Sequence, residues 1–145
     1  MKKKICPIIA LLSFVFLSCS SFSLESLPYV LNGEFVMEDN SPDYSICGVD
    51  FTLLNKSQKE IKGMNVIFYL FDQDGEPAAE CQNKISVQIE KIISPGETAC
   101  FCMSLDSFIN FVPENFLVVD YLYIARIVYE DGSVWDDPYG FMAFK

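Results

Sequence analysis

The chain has no histidine among its 145 residues. That removes Ser-His-Asp and Cys-His nucleophilic machinery, His-ligated zinc and the two-His facial triad of non-haem iron. Basic charge is also scarce: ten Lys and Arg, with Arg126 the single arginine, stand against twenty Asp and Glu, for a net charge of −10. Sequence-independent nucleic-acid affinity rests on Lys and Arg, so no nucleic-acid partner is expected, and anionic headgroups are repelled as well. No Gly-rich phosphate loop occurs, Cys100-Phe101-Cys102 is one residue short of a C-x-x-C redox pair, and no long helical period appears.

What is present begins with a leader. Met1 and Lys2 to Lys4 precede an apolar run from Ile5 to Leu17, the charge order of a bacterial export signal and short of the ~20 apolar residues that span a membrane. Phe16-Leu17-Ser18-Cys19 resembles the lipobox of bacterial lipoproteins, with Phe16 where Leu is usual, whereas Ser21-Phe22-Ser23 has the small-x-small pattern of an ordinary signal-peptidase site. On the lipobox reading residues 1–18 are the signal, Cys19 is the lipidation site, residues 19–42 are a tether and N-terminal extension, and 43–145 are one domain. On the other the product is soluble and secreted, and Cys19 leaves with its signal. From Cys19 onward seven positive and twenty negative side chains remain, net −13. Some 120 residues suffice for a single core without a metal or disulfide framework, so no cofactor or metal is assigned.

From Tyr44 onward, runs of Val, Ile, Phe, Tyr and Leu are broken every eight to twelve residues by turn-forming clusters, which predicts an all-β antiparallel sandwich or barrel of about seven strands. The first strand is expected over Asp43 to Asn55. The second, Met64 to Phe71, is apolar on both faces and therefore central. A bulge near Lys91 is expected where Ile92-Ile93 breaks the alternation of Ile85, Val87 and Ile89, and a type II turn at Ser94-Pro95-Gly96-Glu97. Asp106 to Phe111 is the one short helical crossing, capped by Asp106 and stopped by Pro113.

The stretch Tyr129-Glu130-Asp131-Gly132-Ser133-Val134-Trp135-Asp136-Asp137 raises the question of an acidic site. Asp131-Gly132 suits a two-residue type I′ hairpin loop. That register sets Val128 opposite Trp135 and Arg126 opposite Asp137, and puts Glu130 and Asp136 on opposite faces. No catalytic residue and no metal ligand is assigned to it. Asp72-Gln73-Asp74-Gly75 invites a calcium reading, but aligning Gly75 to the EF-hand glycine puts Leu70 and Cys81 at the outer ligand positions, so a hairpin turn is expected. Four cysteines remain beyond Cys6 and Cys19. Cys47, Cys81, Cys100 and Cys102 either pair, Cys100 with Cys102 being the poorest choice, or serve as small apolar residues. Aromatics crowd the C-terminal third, with Trp135, Tyr139 and Tyr129 as the candidate interaction surface; most of the others are expected to fill the core.

Phe51-Thr-Leu-Leu-Asn55-Lys-Ser57, Tyr69-Leu-Phe-Asp72-Gln-Asp74-Gly75, Ile93-Ser-Pro95-Gly96-Glu97-Thr98 and the last hairpin together resemble FxLYD-type and related immunoglobulin-like accessory domains of bacterial envelope proteins. The resemblance spans residues 45 to 140 and rests on turn chemistry. It implies an immunoglobulin-like antiparallel β-sandwich and brings no catalytic residues. The expected function is a non-catalytic binding or structural module of the cell envelope, held to the membrane through an N-terminal lipid on its periplasmic or surface face, with an envelope protein as partner. A soluble secreted ligand-binding or inhibitor domain is the alternative, and a carboxylate-dependent hydrolase the third.

Overall fold

Side chains that alternate in and out with a period of two leave each strand one face to bury, and a second sheet is what buries it. The structure, a computed structural model, describes residues 26–41, 44–78, 83–110 and 113–144. Seven strands form: β1 Tyr29–Ser41, β2 Tyr44–Asn55, β3 Ile61–Phe71, β4 Lys84–Ile93, β5 Thr98–Ser104, β6 Val118–Tyr129 and β7 Val134–Asp136. They build two antiparallel sheets, ordered β1-β2-β5 and β4-β3-β6-β7. The all-β sandwich of seven strands is therefore as expected, with β3 central between β4 and β6.

Between the sheets lie Val49, Phe51 and Leu53 of β2, Val66, Phe68 and Leu70 of β3, Ile85 and Ile93 of β4, and Ile124 and Ile127 of β6, all essentially without solvent contact. Phe51 sits at the centre, its ring centroid 5.6 Å from Phe68 and 5.3 Å from Phe101. Burying each large apolar side chain contributes about 1.5–3 kcal/mol, which makes this layer the main source of stability.

Two expectations need correction. The first strand is β1, beginning at Tyr29, in the stretch that the sequence pattern assigns to the extension before Asp43. It pairs with β2 from Tyr29 opposite Asn55 to Ser41 opposite Tyr44. Its apolar face of Tyr29, Leu31 and Phe35 is interrupted by Gly33, which hides the alternation. Nor does Asp106 to Asn110 form a helix: the amides of Phe108 and Ile109 both donate to the Leu105 carbonyl, closing a single turn, and the Asp106 amide itself donates to Ser104 Oγ. No helix occurs among the described residues.

The turns behave as their chemistry dictates. Glu97 N–H donates to the Ser94 carbonyl across Pro95-Gly96. Asp72 Oδ1 accepts the amides of Asp74 and Glu76, which closes the turn. Asn55, fully buried, donates to the carbonyls of Lys59 and Ile93 and accepts from the Ser57 amide and hydroxyl, so every polar position of its side chain is used.

Irregularities in the ladders decide where the two sheets are fastened together. The bulge near Lys91 is present, since Ile61 pairs with Ile93 but Gly63 with Glu90. On β6, Asn65 faces Arg126 while Val66 faces Ile124, so Ala125 is an extra residue. This resets the phase and lets Ile124 and Ile127, three apart, both point inward. The bulge also releases the Ile124 amide from the ladder, and it donates to the Tyr29 hydroxyl of the other sheet at 3.0 Å. Tyr29 is buried, with its ring edge-on to Trp135 at 5.6 Å.

Tyr29→Phe keeps the ring and strips the Ile124 amide of its acceptor, which should cost about 1–3 kcal/mol in denaturant unfolding. Burial raises the Tyr29 phenol above its ordinary 10.0. Folded and unfolded chains are both protonated below that value, and above it the unfolded chain ionises first. Stability should thus fall as pH rises from about 10 through the higher folded value, with a shallower fall in the Phe variant.

Candidate functional site

The acidic hairpin resolves first. Val128 pairs with Val134, Ile127 with Trp135 and Arg126 with Asp136. Tyr129 N–H donates to the Ser133 carbonyl and Gly132 N–H to the Tyr129 carbonyl, leaving a three-residue loop with Gly132 left-handed at φ 81°. Asp131 is not left-handed. Its carboxylate accepts from the Ser133 amide and hydroxyl and pairs with Lys59 at 2.8 Å; the bond from Lys59, then those from Ser133, hold it well below the ordinary carboxylate range. The expected two-residue loop is thereby corrected by one position, and a one-residue slip turns every side chain of β7 over.

The carboxylates consequently take different partners from those the two-residue register predicts. Asp136, not Asp137, faces Arg126, at 3.6 Å on the exposed side, a pair contributing only ~0.2–1 kcal/mol. Glu130 lies 3.6 Å from Lys62. Asp137 is buried, only 4% exposed. Its amide donates to the carbonyl of the bulged Ala125, and its two carboxylate oxygens accept the amides of Phe141 and Met142, both at 2.9 Å. The group expected as an ion-pair partner is the staple of the C-terminal segment.

That segment folds back over the outer face of the four-stranded sheet. Gly140, at φ 70°, has no room for a side chain, since a Cβ would meet the Phe144 ring at 2.9 Å and Tyr123 at 3.2 Å. The ring of Phe144 then stands edge-on to Tyr121 and Tyr123, at 5.8 and 5.7 Å. Beneath lies a second apolar cluster of Ile67, Tyr123 and Ala125, flanked by Tyr69 and Ala143. This is the cover that β3, apolar on both faces, required.

The cover is incomplete, and its gap is a cleft of about 380 Å³ lined by Tyr69, Phe71, Tyr121, Tyr123, Tyr139, Phe144 and Asn83. Tyr121 stands at its centre, edge-on to Tyr69 at 5.7 Å and 6.2 Å from Phe71. It occupies a second β6 bulge, where Ile67 faces Tyr123 but Tyr69 faces Asp120. At φ 47° it is the one described non-glycine residue in left-handed backbone, a strain of order 1–3 kcal/mol. The Oδ1 of Asn83 is buried without a donor. A hollow of about 350 Å³ shares Phe71 and Tyr121 and adds Asp72 and Asp120. Tyr121, Tyr139, Phe141 and Phe144 are each more than half exposed, Tyr139 at 74%.

No protein-family model and no curated protein matches the chain. One solved structure, described as the X-ray structure of Northeast Structural Genomics Consortium target SoR45, is similar over 74% of this chain and 77% of its own, at 14% identity and a TM-score of 0.38.

The three aromatics singled out from sequence separate. Tyr139 lines the cleft. Tyr129 is buried in the main core and Trp135 packs half-buried against Tyr29, so neither joins Tyr139 on the outer face. Tyr69, Phe71, Phe144 and Asn83 were not foreseen, because β3, the residue before β4 and the C-terminal segment supply them separately. The nearest signal was the doubly apolar β3. Cysteines also divide: Cys47 is buried, which raises its thiol pKa, while Cys100 and Cys102 lie exposed on β5. Cys19 and Cys81 fall outside the described residues.

Asp137→Ala removes both acceptors from the C-terminal turn. We expect a loss of about 1–3 kcal/mol in thermal or denaturant unfolding and rapid proteolysis after Asp136 under conditions where the wild-type C-terminus survives; equal resistance of the two proteins would contradict the staple.

Proposed function

We propose that the protein is an exported, lipid-anchored, immunoglobulin-like binding module of the bacterial cell envelope, without catalytic activity, whose recognition surface is the aromatic outer face of the four-stranded sheet. The observation that carries this reading is the concentration of exposed rings around one cleft. Aromatic side chains left half exposed around a concavity, over a rigid sheet, are the composition of an interface core. The leader and Cys19 support the anchor. The turns at Asn55-Lys56-Ser57, Asp72 to Gly75 and Ser94 to Glu97, on which the resemblance to envelope accessory domains rests, are each closed by their own hydrogen bonds, which supports the reading.

A non-catalytic role is supported by how the acids are employed. Asp72, Asp131 and Asp137 cap turns, while Glu130 and Asp136 pair with cations on the surface. The groove of about 310 Å³ along Lys62, Asn65 and Arg126 on the same sheet is a weaker candidate, since Glu130 and Asp136 already engage its two cations.

Two measurements test the two halves of the proposal. Metabolic labelling with a palmitate analogue should mark the wild type and not Cys19→Ser; equal labelling would end the lipoprotein assignment. Immobilised wild-type domain should retain a component of detergent-solubilised envelope that the Tyr139→Ser/Phe141→Ser double variant loses by about tenfold or more. Equal retention by both would remove the aromatic face from the account.

A further inference from the structure

If the cleft is the recognition surface, its walls carry information about the chemistry of its ligand. We infer that it receives a protonated alkylamine: a primary or secondary ammonium group on a short apolar stem. Four features agree. Six aromatic rings, those of Tyr69, Phe71, Tyr121, Tyr123, Tyr139 and Phe144, line one space, and aromatic rings attract a cation through their negative faces. The orphan group in the wall, Asn83 Oδ1, is an acceptor; a ligand that satisfies it must bring a hydrogen, which an ammonium N–H does and a quaternary nitrogen does not.

Charge points the same way. Asp72 and Asp120 line the adjoining hollow, which shares Phe71 and Tyr121 with the cleft. Asp120 Oδ1 accepts its neighbour's amide, from Tyr121, and Asp72 accepts those of Asp74 and Glu76, so both are fixed in place with a carboxylate's charge to offer. The whole chain is acidic, with twenty Asp and Glu against ten Lys and Arg, and its field raises the local concentration of cations. Lys84 opposes this, facing Tyr69 across the ladder; like Asp72 and Asp120, it does not line the cleft itself.

Position supplies the fourth feature. Asn83 sits where β4 begins, its carbonyl taking the Leu70 amide, while its terminal amide turns about a broad torsion. Tyr121 is held in its costly backbone conformation beside it, and side chains kept in such conformations collect at ligand sites. A neutral sugar stacking on the rings would use neither the acids nor the net charge, so it is the lesser fit.

The test uses the full-length chain and follows side-chain and backbone resonances by NMR titration. The probes are n-pentylammonium, 1-pentanol, tetramethylammonium, Nα-acetyl-lysine amide, glucosamine and N-acetylglucosamine. We expect n-pentylammonium to bind about tenfold or more tightly than 1-pentanol, more weakly as salt rises, and with shifts centred on Tyr121, Phe144 and Asn83. Nα-acetyl-lysine amide and glucosamine then report whether a peptide or a glycan presents the group better. Tyr121→Gly relieves the left-handed strain and so retains stability, yet should abolish binding. Asn83→Leu should erase the preference for n-pentylammonium over tetramethylammonium. Equal binding of the amine and the alcohol, tighter binding of N-acetylglucosamine than of glucosamine, or no response to any amine at concentrations on the order of 0.1 M, would overturn the assignment. If amines fail while envelope retention still depends on Tyr139 and Phe141, the recognition surface stands and only its ligand class is wrong.

Discussion

One extra residue in one strand organises this molecule. Where Ala125 bulges from β6, a backbone amide and a nearby carbonyl leave the regular ladder, and buried polar groups of that kind must find partners or cost the fold about 1–3 kcal/mol each. The Ile124 amide turns inward to the hydroxyl of Tyr29 on the opposite sheet. The Ala125 carbonyl accepts the amide of Asp137. A single irregularity thus fastens the sandwich across its core and fixes the point from which the C-terminal segment departs over the outer face.

The outer face follows from that departure. Without the staple at Asp137, the sheet would expose Ile67, Tyr123 and Ala125 to water. With it, the segment covers them and leaves a ring-lined gap instead of a sealed layer. On the proposed reading, structure and recognition share residues there: Phe144 both packs on Tyr123 and forms a wall of the cleft. Tyr139 and Phe141 stand in solvent beside that gap, and Tyr121 is held in left-handed backbone.

Much of the fold was legible because its punctuation is local. Asp72 to Gly75 and Ser94 to Glu97 specify their turns whatever surrounds them, and the doubly apolar β3 declares itself central. What the sequence pattern hid depends on contacts between distant segments. β1 was masked by Gly33 and by the acidic run after it, although Tyr29, Leu31 and Phe35 alternate. The last hairpin was placed one residue out because Asp131-Gly132 fits two loops; the bonds from Lys59 and Ser133 to Asp131 decide between them. Ile124 and Ile127, three apart on a strand, were the visible trace of the bulge. The cleft as a whole was hidden, since its members lie on two strands, just before a third and in a terminal turn.

Amide hydrogen exchange at Ile124 tests the central claim most directly. If its N–H is held by the Tyr29 hydroxyl between the sheets, it exchanges only when the whole sandwich unfolds, at a rate matching the amides at the centre of β3 and with the same denaturant dependence. Exchange on the timescale of the exposed β6–β7 loop, insensitive to denaturant, would show that this amide is open to water and that the bulge does not join the two layers.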